Sequence, residues 1–335
     1  MNILLTSVGR RTYMVNYFKE ALNGIGLVHA ANSTETYSIS VADKSVITPL
    51  IYDENYIEFL LHYCLENNIK VVISLFDIDL PVLAKNKARF AEHGISVIVS
   101  DFEFVQICND KWLTYNYLRE NGFNTPISFL TVQDTLNAIE NNEINFPLII
   151  KPRWGMGSIG IFQADNQEEL KILYKKTLNC INQSYLKFES QQAPENSIIF
   201  QKKLLGDEYG LDIFNNLKGD FLACVPKKKL AMRAGETDSA EIIGNSKLFE
   251  IGTKLSQLSK HIGNLDVDCF LIGKEFFILE MNCRFGGQYP FTHLAGANFP
   301  KVLINMILNE EIEKKNLQVK TGTIGIKDLY PVKLR

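Results

Sequence analysis

The first hundred residues alternate short β-branched runs with segments whose apolar side chains recur near every 3.6 positions, and this alternation restricts the fold more than any other feature of the chain. The runs are NILLTSV (2–8), IGLVHAA (25–31), VITPL (46–50), VVISLF (71–76) and SVIVS (96–100), most of them separated by stretches such as YIEFLLHYCLENN. A strand–helix–strand rhythm of this kind predicts a parallel, doubly wound sheet. Such sheets bind ligands beyond the carboxyl ends of their strands. Gly9, Arg10 and Arg11 after the first strand, and Asp77 and Asp79 after the fourth, are therefore candidate ligand contacts. Capping and loop solvation is the plainer reading of the same residues. The first turn reads SVGRRT, without the G-x-G-x-x-G spacing of a dinucleotide site, so a dehydrogenase is disfavoured.

At 335 residues the chain is long enough for two or three packed units, and 46% hydrophobic with 22% charged residues is ordinary globular composition. A formal net charge of −3 gives no general attraction to nucleic acid or to an anionic membrane, and the only basic block is KKK at 227–229. The six cysteines form no C-x-x-C pair, and the five histidines form no H-x-H or H-E-x-x-H, which argues against zinc and for reduced thiols. The N-terminus has its arginines after a short apolar run, unlike a signal peptide, and no apolar stretch reaches the ~18 residues of a membrane span. The expected location is the cytoplasm.

A second unit begins near Asp101, with helical spacing in DFEFVQICNDKWLTYNYLRENG. The segment 146–165, FPLIIKPRWGMGSIGIFQAD, predicts a hairpin with a glycine-rich tip; 166–179 is helical, and 180–196 is expected to be a polar loop. Strands are expected in SIIFQKKL, EYGLDIF and FLACVPKKKLAM, then a helix over 245–262, the strands LDVDCFLIG and EFFILEMN, and a terminal helical region.

The chemistry concentrates at two places. In RWGMGSIG, glycines let backbone N–H groups approach a phosphate, and Lys151 just before the turn supplies charge. No Gly-Lys-Ser/Thr closes the loop, so it is not a Walker A motif. In LDVDCFLIGKEFFILEMN, Asp268 stands on one strand while Glu280 and Asn282, two residues apart, share a face of the next. Two acids and an amide oxygen form a hard oxygen cluster suited to Mg²⁺ held together with substrate phosphates, and Arg284 beyond them can bridge phosphate oxygens.

These pieces in this order resemble the ATP-grasp superfamily over nearly the whole chain, on the motifs DK, KP…GxGS.GI, GxEY and ExNxRxGG. The match is closest to single-module relatives of the carbamoyl-phosphate synthase large subunit, a group that includes pyrrolysine-pathway and other amino-acid ligases. The resemblance implies α/β and α+β architecture: a Rossmann-like pre-ATP-grasp domain over 1–100, linker helices and a small lid subdomain over 101–200, and a large subdomain with the metal site over 201–335. It implies that Lys111 and Lys151 meet ATP phosphates and that the loop with Gly155, Gly157 and Ser158 folds over them. Gln201, Lys203 and Leu204 would form the adenine hinge, with Glu208 on the ribose, Asp268, Glu280 and Asn282 on one or two Mg²⁺ ions (Mn²⁺ as substitute), and Arg284 on phosphate. Arg233, in the stretch 229–241, would hold an acyl phosphate or carboxylate. Lys202 departs from the pattern, standing where many relatives carry a hinge glutamate.

The implied activity is an ADP-forming carboxylate–amine ligase acting through an acyl phosphate on an amino acid or other small carboxylate. A kinase-like phosphotransferase and a nucleotide-binding subunit without turnover are the alternatives. The partners expected are small carboxylate and amine substrates, neither nucleic acid nor membrane, and a second copy or partner subunit is compatible with the chain's length.

Overall fold

A computed structural model of the chain describes residues 1–329 and 331–333. Strands β1 (Asn2–Thr6), β2 (Val28–Asn32), β3 (Lys44–Ile47), β4 (Ile69–Ser74) and β5 (Ser96–Ile98) form a parallel sheet in the order β3-β2-β1-β4-β5. The expected doubly wound sheet is thus present, and its strand order reverses between β1 and β4. The helix Thr12–Leu22 shows why these segments fold as they do. Its buried residues Met14, Val15, Phe18, Ala21 and Leu22 follow helical spacing, and the chain leaves the helix through Asn23 in the left-handed region.

The second sheet contains β6 (Ser128–Phe129), β7 (Leu148–Pro152), β8 (Phe162–Ala164) and β9 (Ile198–Lys202), in the order β6-β9-β7-β8. Strands β7 and β8 are antiparallel and joined by the glycine-rich turn, as the sequence predicts. The segment 180–196 is not a polar loop. The preceding helix runs on to Asn182, a short helix occupies Leu186–Ser190, and a single 3₁₀ turn follows at Pro194–Asn196. Leu186 is fully buried there and joins the sheet's own core with Ile150, Leu170 and Phe200, which is what pulls this polar stretch into shape.

The third sheet has the order β14-β13-β10-β11-β12-β15, built from β10 (Asp207–Asn215), β11 (Phe221–Arg233), β12 (Glu236–Ile242), β13 (Gly263–Ile272), β14 (Glu275–Asn282) and β15 (Ile324–Ile326). β15, unforeseen in the terminal region, closes one edge by pairing with β12. Leu5, Val8 and Phe18 of the first unit share a hydrophobic core with Phe214, Phe285, Tyr289 and Phe299 of the third. The core of the second sheet takes residues only from 127–200. Apolar burial therefore binds the first and third sheets together and leaves the second less tightly tied to them. Among the described residues no helix is long and apolar enough to cross a membrane.

His261 gives this body a pH-sensitive element. It is fully buried, its Nε2–H donates to the Ile213 carbonyl at 3.1 Å, and its Nδ1 accepts from Ser259 Oγ at 2.8 Å. Burial lowers its pKa from 6.5 to about 4. Because the folded value lies below the unfolded one, the stability this group contributes is complete above pH 6.5 and is lost as pH falls from 6.5 toward 4. The full loss is about 3 kcal/mol. Urea denaturation at pH 7.5 and pH 5 should show a wild-type chain losing stability on acidification and a His261→Gln chain losing distinctly less; identical losses would refute this account.

Candidate active site at the strand ends

Antiparallel pairing of β13 with β14 sets Asp268 opposite Glu280 and Asp266 opposite Asn282. Since side chains two apart on a strand share a face, four oxygen-bearing side chains converge. All four line a cavity of about 300 Å³. Asp266 is the member that sequence reasoning missed. The signal was the D-x-D spacing of Asp266 and Asp268 facing E-x-N across a strand pair, readable only once the register is known.

Arg284, immediately past β14, is held between two of the sheets. Its Nε and Nη2 donate to Asp77 Oδ2 at 3.0 and 2.8 Å, and its Nη1 donates to Asp266 Oδ2 at 3.1 Å. Burial works to lower the guanidinium's pKa, but Asp77 and Asp266 outweigh it and hold the group charged. Asp77 comes from the carboxyl end of β4, where a ligand contact was expected, and meets Arg284 207 positions away in sequence. Arg11, after β1, lines the same cavity and donates to the carbonyls of Leu75 and Phe285. The other strand-end candidates lie elsewhere. Asp79 is fully buried and accepts hydrogen bonds from Thr6, Ser7, Ser74 and Tyr56. Gly9 donates its N–H to Asn32, and Arg10 is exposed outside the cavity lining.

Lys229, which sequence reasoning gave no role, ties two expected ligand groups together. Its Nζ lies 2.6 Å from Glu208 and 2.7 Å from Asp268. Burial pulls the lysine's pKa down, yet the two carboxylates outweigh it and raise it. Burial, with Asp266 and Glu280 adding, raises the Asp268 carboxyl against the opposing pull of Lys229. Among the described residues no group of three or more His, Cys, Asp or Glu side chains is arranged to hold a metal ion. The donor set still fits Mg²⁺, which uses one or two carboxylates and takes its remaining oxygens from phosphate and water. Glu280 and Asn282 supply such a pair, and carboxylates crowded together in a buried place are stabilised by a cation.

The second sheet covers the cavity from the other side. Asp110 caps the helix Lys111–Glu120 through the N–H groups of Trp112 and Leu113, and Arg153 donates to both its oxygens at 2.7 Å. This fixes Lys111, whose Nζ donates to the Gly155 carbonyl at 2.5 Å. Lys151 is buried; burial, with Lys111 adding and Glu280 opposing, lowers its pKa to about 8. Gly155 has φ +127°, where an L side chain is strained, and a Cβ there would sit 2.7 Å from Leu186 Cδ2, so glycine is strongly favoured. Gly155 and Gly157 line the cavity. Ser158 faces the tip of the β11–β12 hairpin, where a Cβ on Gly235 would lie 2.2 Å from its Oγ.

Several expected contacts fall outside the cavity lining. Gln201 donates to Ser128 Oγ at 3.0 Å, and Lys203 to Gln163 at 2.5 Å; Leu204 is half-buried and Lys202 exposed. Glu208 belongs to the Lys229 pair. Arg233 does not reach into the cavity: its Nε donates to Asp238 at 2.7 Å and its Nη2 to the Lys327 carbonyl at 2.9 Å. A hairpin partner five residues away claims it first, and Met232, Glu236 and Thr237 line the cavity instead.

Comparison with known proteins adds to this geometry. The family profile described as PylC-like, N-terminal domain matches residues 3–98, and the profile described as ATP-grasp domain matches residues 108–288. Among solved structures, the chain is similar to biotin carboxylase from Campylobacter jejuni (TM-score 0.75, 13% identity, 96% of this chain and 74% of that one). It is also similar to an L-amino acid ligase from Bacillus licheniformis (TM-score 0.71, 20% identity, 93% and 78%). A third is the biotin carboxylase domain of 2-oxoglutarate carboxylase from Hydrogenobacter thermophilus, solved with Mg-ADP and bicarbonate (TM-score 0.71, 15% identity, 96% and 73%). At these identities the likeness shows the fold.

The Arg284 clamp generates a stability test. Asp77→Ala removes one of two counter-charges from a buried guanidinium and should cost about 3–5 kcal/mol in chemical denaturation. Arg233→Ala breaks an ion pair whose arginine is 41% exposed and should cost about 1 kcal/mol or less. Equal costs for the two would show that the clamp does not hold the strand ends together.

Proposed function

Because the chain belongs to the ATP-grasp family, we propose that it is an ATP-dependent, ADP-forming ligase that joins a small carboxylate to an amine through an acyl phosphate. The observation that carries this reading is the convergence of Lys111, Gly155, Gly157, Glu280, Asn282 and Arg284 on one cavity. Lysine, glycine N–H groups and arginine suit phosphate oxygens, while a carboxylate and an amide suit the accompanying cation.

In this scheme the γ-phosphoryl group of ATP passes to a carboxylate oxygen and ADP is released. The amine then attacks the acyl carbon, phosphate leaves, and the nitrogen gives up a proton to solvent. Catalysis is mainly positioning and neutralisation of charge. Glu280 and Asn282 would hold Mg²⁺, with Asp268 as a further oxygen once Lys229 shifts; the ion supplies charge neutralisation to the phosphates. Lys111 and Lys151 hold the phosphate chain, and the loop bearing Gly155, Gly157 and Ser158 closes over it and excludes water. Arg284, kept charged by Asp77 and Asp266, faces the transferring group. Gln201, Lys203 and Leu204 lie beyond the cavity, where adenine would extend, and Glu208 would take the ribose hydroxyls after leaving Lys229. Arg233, committed to Asp238, is left out of the assignment.

The scheme is tested by the products. With a suitable carboxylate, nucleotide should leave as ADP and orthophosphate, and hydroxylamine should trap a hydroxamate. AMP and pyrophosphate would place the protein in an adenylating class, and a stable phosphorylated product with no amide would make it a phosphotransferase. Glu280→Gln should lower turnover on the order of 100-fold, the scale for losing one preorganised electrostatic group, with a modest change in nucleotide affinity. Near-normal turnover in that variant would remove Glu280 from the metal site.

A further inference from the structure

Asp266 holds Arg284 but carries no ligand in the scheme above, and the other oxygen of its carboxylate leads to a further side chain. Oδ2 accepts from Arg284 Nη1 at 3.1 Å and from Asn282 Nδ2 at 3.5 Å. Oδ1 accepts from Gln288 Nε2 at 2.5 Å. The same Nε2 lies 3.3 Å from Asp268 Oδ1 and 3.3 Å from the Val267 carbonyl, so one amide reaches along the whole D-x-D stretch. Lys229 also meets Asp268 at Oδ1. Oδ2 is then the oxygen that Asp268 can offer to a cation.

The seat of this amide is rigid and specific. Gln288 is buried and directly precedes the helix Tyr289–Leu294, whose Tyr289 and Phe291 are anchored in the core shared by the first and third sheets. The neighbours dictate which way the amide faces: all three atoms opposite Nε2 are acceptors, and a reversed amide would set oxygen against oxygen. Oε1 must therefore point away, and it is buried without a hydrogen-bond partner. It lies over Gly210, the residue of β10 paired with Asp268 of β13, where a Cβ would stand 1.6 Å from Oε1 and 2.4 Å from Cδ. Gly210 is not in the left-handed region, so glycine provides space here and not backbone freedom. An orphaned buried oxygen costs stability, and a side chain that only filled a gap would have no reason to bear that cost.

We propose that Gln288 is a positioning residue of the metal site. Its amide holds Asp266 against Arg284, keeps Asp268 aimed, and so sets which carboxylate oxygens are left to meet the cation, while Gly210 makes the room it needs. The proposal rests on the ligase reading for its place in a reaction, and it adds to Glu280 and Asn282 a neighbour that touches neither phosphate nor metal. Groups that orient metal ligands in this way govern affinity for the ion as strongly as the ligands' own chemistry does.

The test is titration of the full chain with Mn²⁺ in the presence of ADP, the free ion being read by electron paramagnetic resonance. Gln288→Met, close in volume but without a donor, and Gln288→Ala should each weaken Mn²⁺ binding at least about 10-fold, the scale for losing a group that orients a metal ligand. ADP affinity measured calorimetrically in EDTA should change less than about 3-fold in both. Gly210→Ala, which pushes the amide off its seat, should weaken Mn²⁺ to a similar degree, yet add less than about 2-fold when Gln288 is already alanine, because the two residues act as one unit. The proposal is overturned if both Gln288 variants fall short of the expected loss, if ADP and Mn²⁺ affinities drop in parallel, or if Gly210→Ala costs as much in the Gln288→Ala chain as alone. A wild-type chain that takes up no Mn²⁺ with ADP overturns it together with the assignment of Glu280 and Asn282. A chain that behaves as expected here and yet forms neither ADP nor hydroxamate would instead sink the ligase reading and leave Gln288 in its role.

Discussion

The ion pairs around Arg284 are the interaction on which the rest of the arrangement depends. A guanidinium with 8% of its side chain exposed cannot remain there without counter-charge, and the two carboxylates that supply it belong to different sheets. Asp77 brings the end of β4, and Asp266 brings β13 with its register against β14. One side chain thereby ties the oxygen cluster to the strand-reversal point. Fluctuations of the body that would part these sheets must also uncover a charge, which makes the cavity floor stiffer than its apolar core alone would.

The cover is built on the opposite principle. The second sheet has a core of its own, and it reaches the rest of the chain through a few local contacts: the Arg153–Asp110 ion pair, Lys111 to the Gly155 carbonyl, Ser158 against Gly235, and Tyr52 on Glu189 and Phe188. Apart from the buried ion pair, such contacts cost little to break compared with a shared apolar core. A rigid floor below a separately folded cover is the division of labour expected where a charged ligand must enter and then be shielded from water.

Much of this was legible in the sequence. Periodicity located the strands of the first sheet to within a few residues, the glycine hairpin between β7 and β8, and the pair β13 and β14, because each is a local pattern of apolar side chains. The failures share a cause. Residues 180–196 read as polar loop because one buried leucine and one stacked ring leave no period, and the helix there exists through contacts of Leu186 with Gly155 and of Phe188 with Tyr52 rather than through its own propensity. β15 is three residues long and is a strand only because β12 offers an edge. Spacing singled out Glu280, Asn282, Asp268 and Arg284, all of which line the one cavity, while the placing of Asp266 and Lys229 beside them depends on a register that no spacing reveals. Arg233, expected in a substrate loop, instead ends β11 and is held by Asp238, a pairing that becomes visible only when the hairpin is folded.

The contact between the glycine turn and the β11–β12 hairpin tip also acts as a spacer. Gly235 approaches Ser158 so closely that no side chain could stand between them, and the two tips together roof the cavity. A side chain in place of Gly235 would meet Ser158 and push the two tips apart, so the gap over this part of the cavity is kept narrow by the absence of one carbon atom.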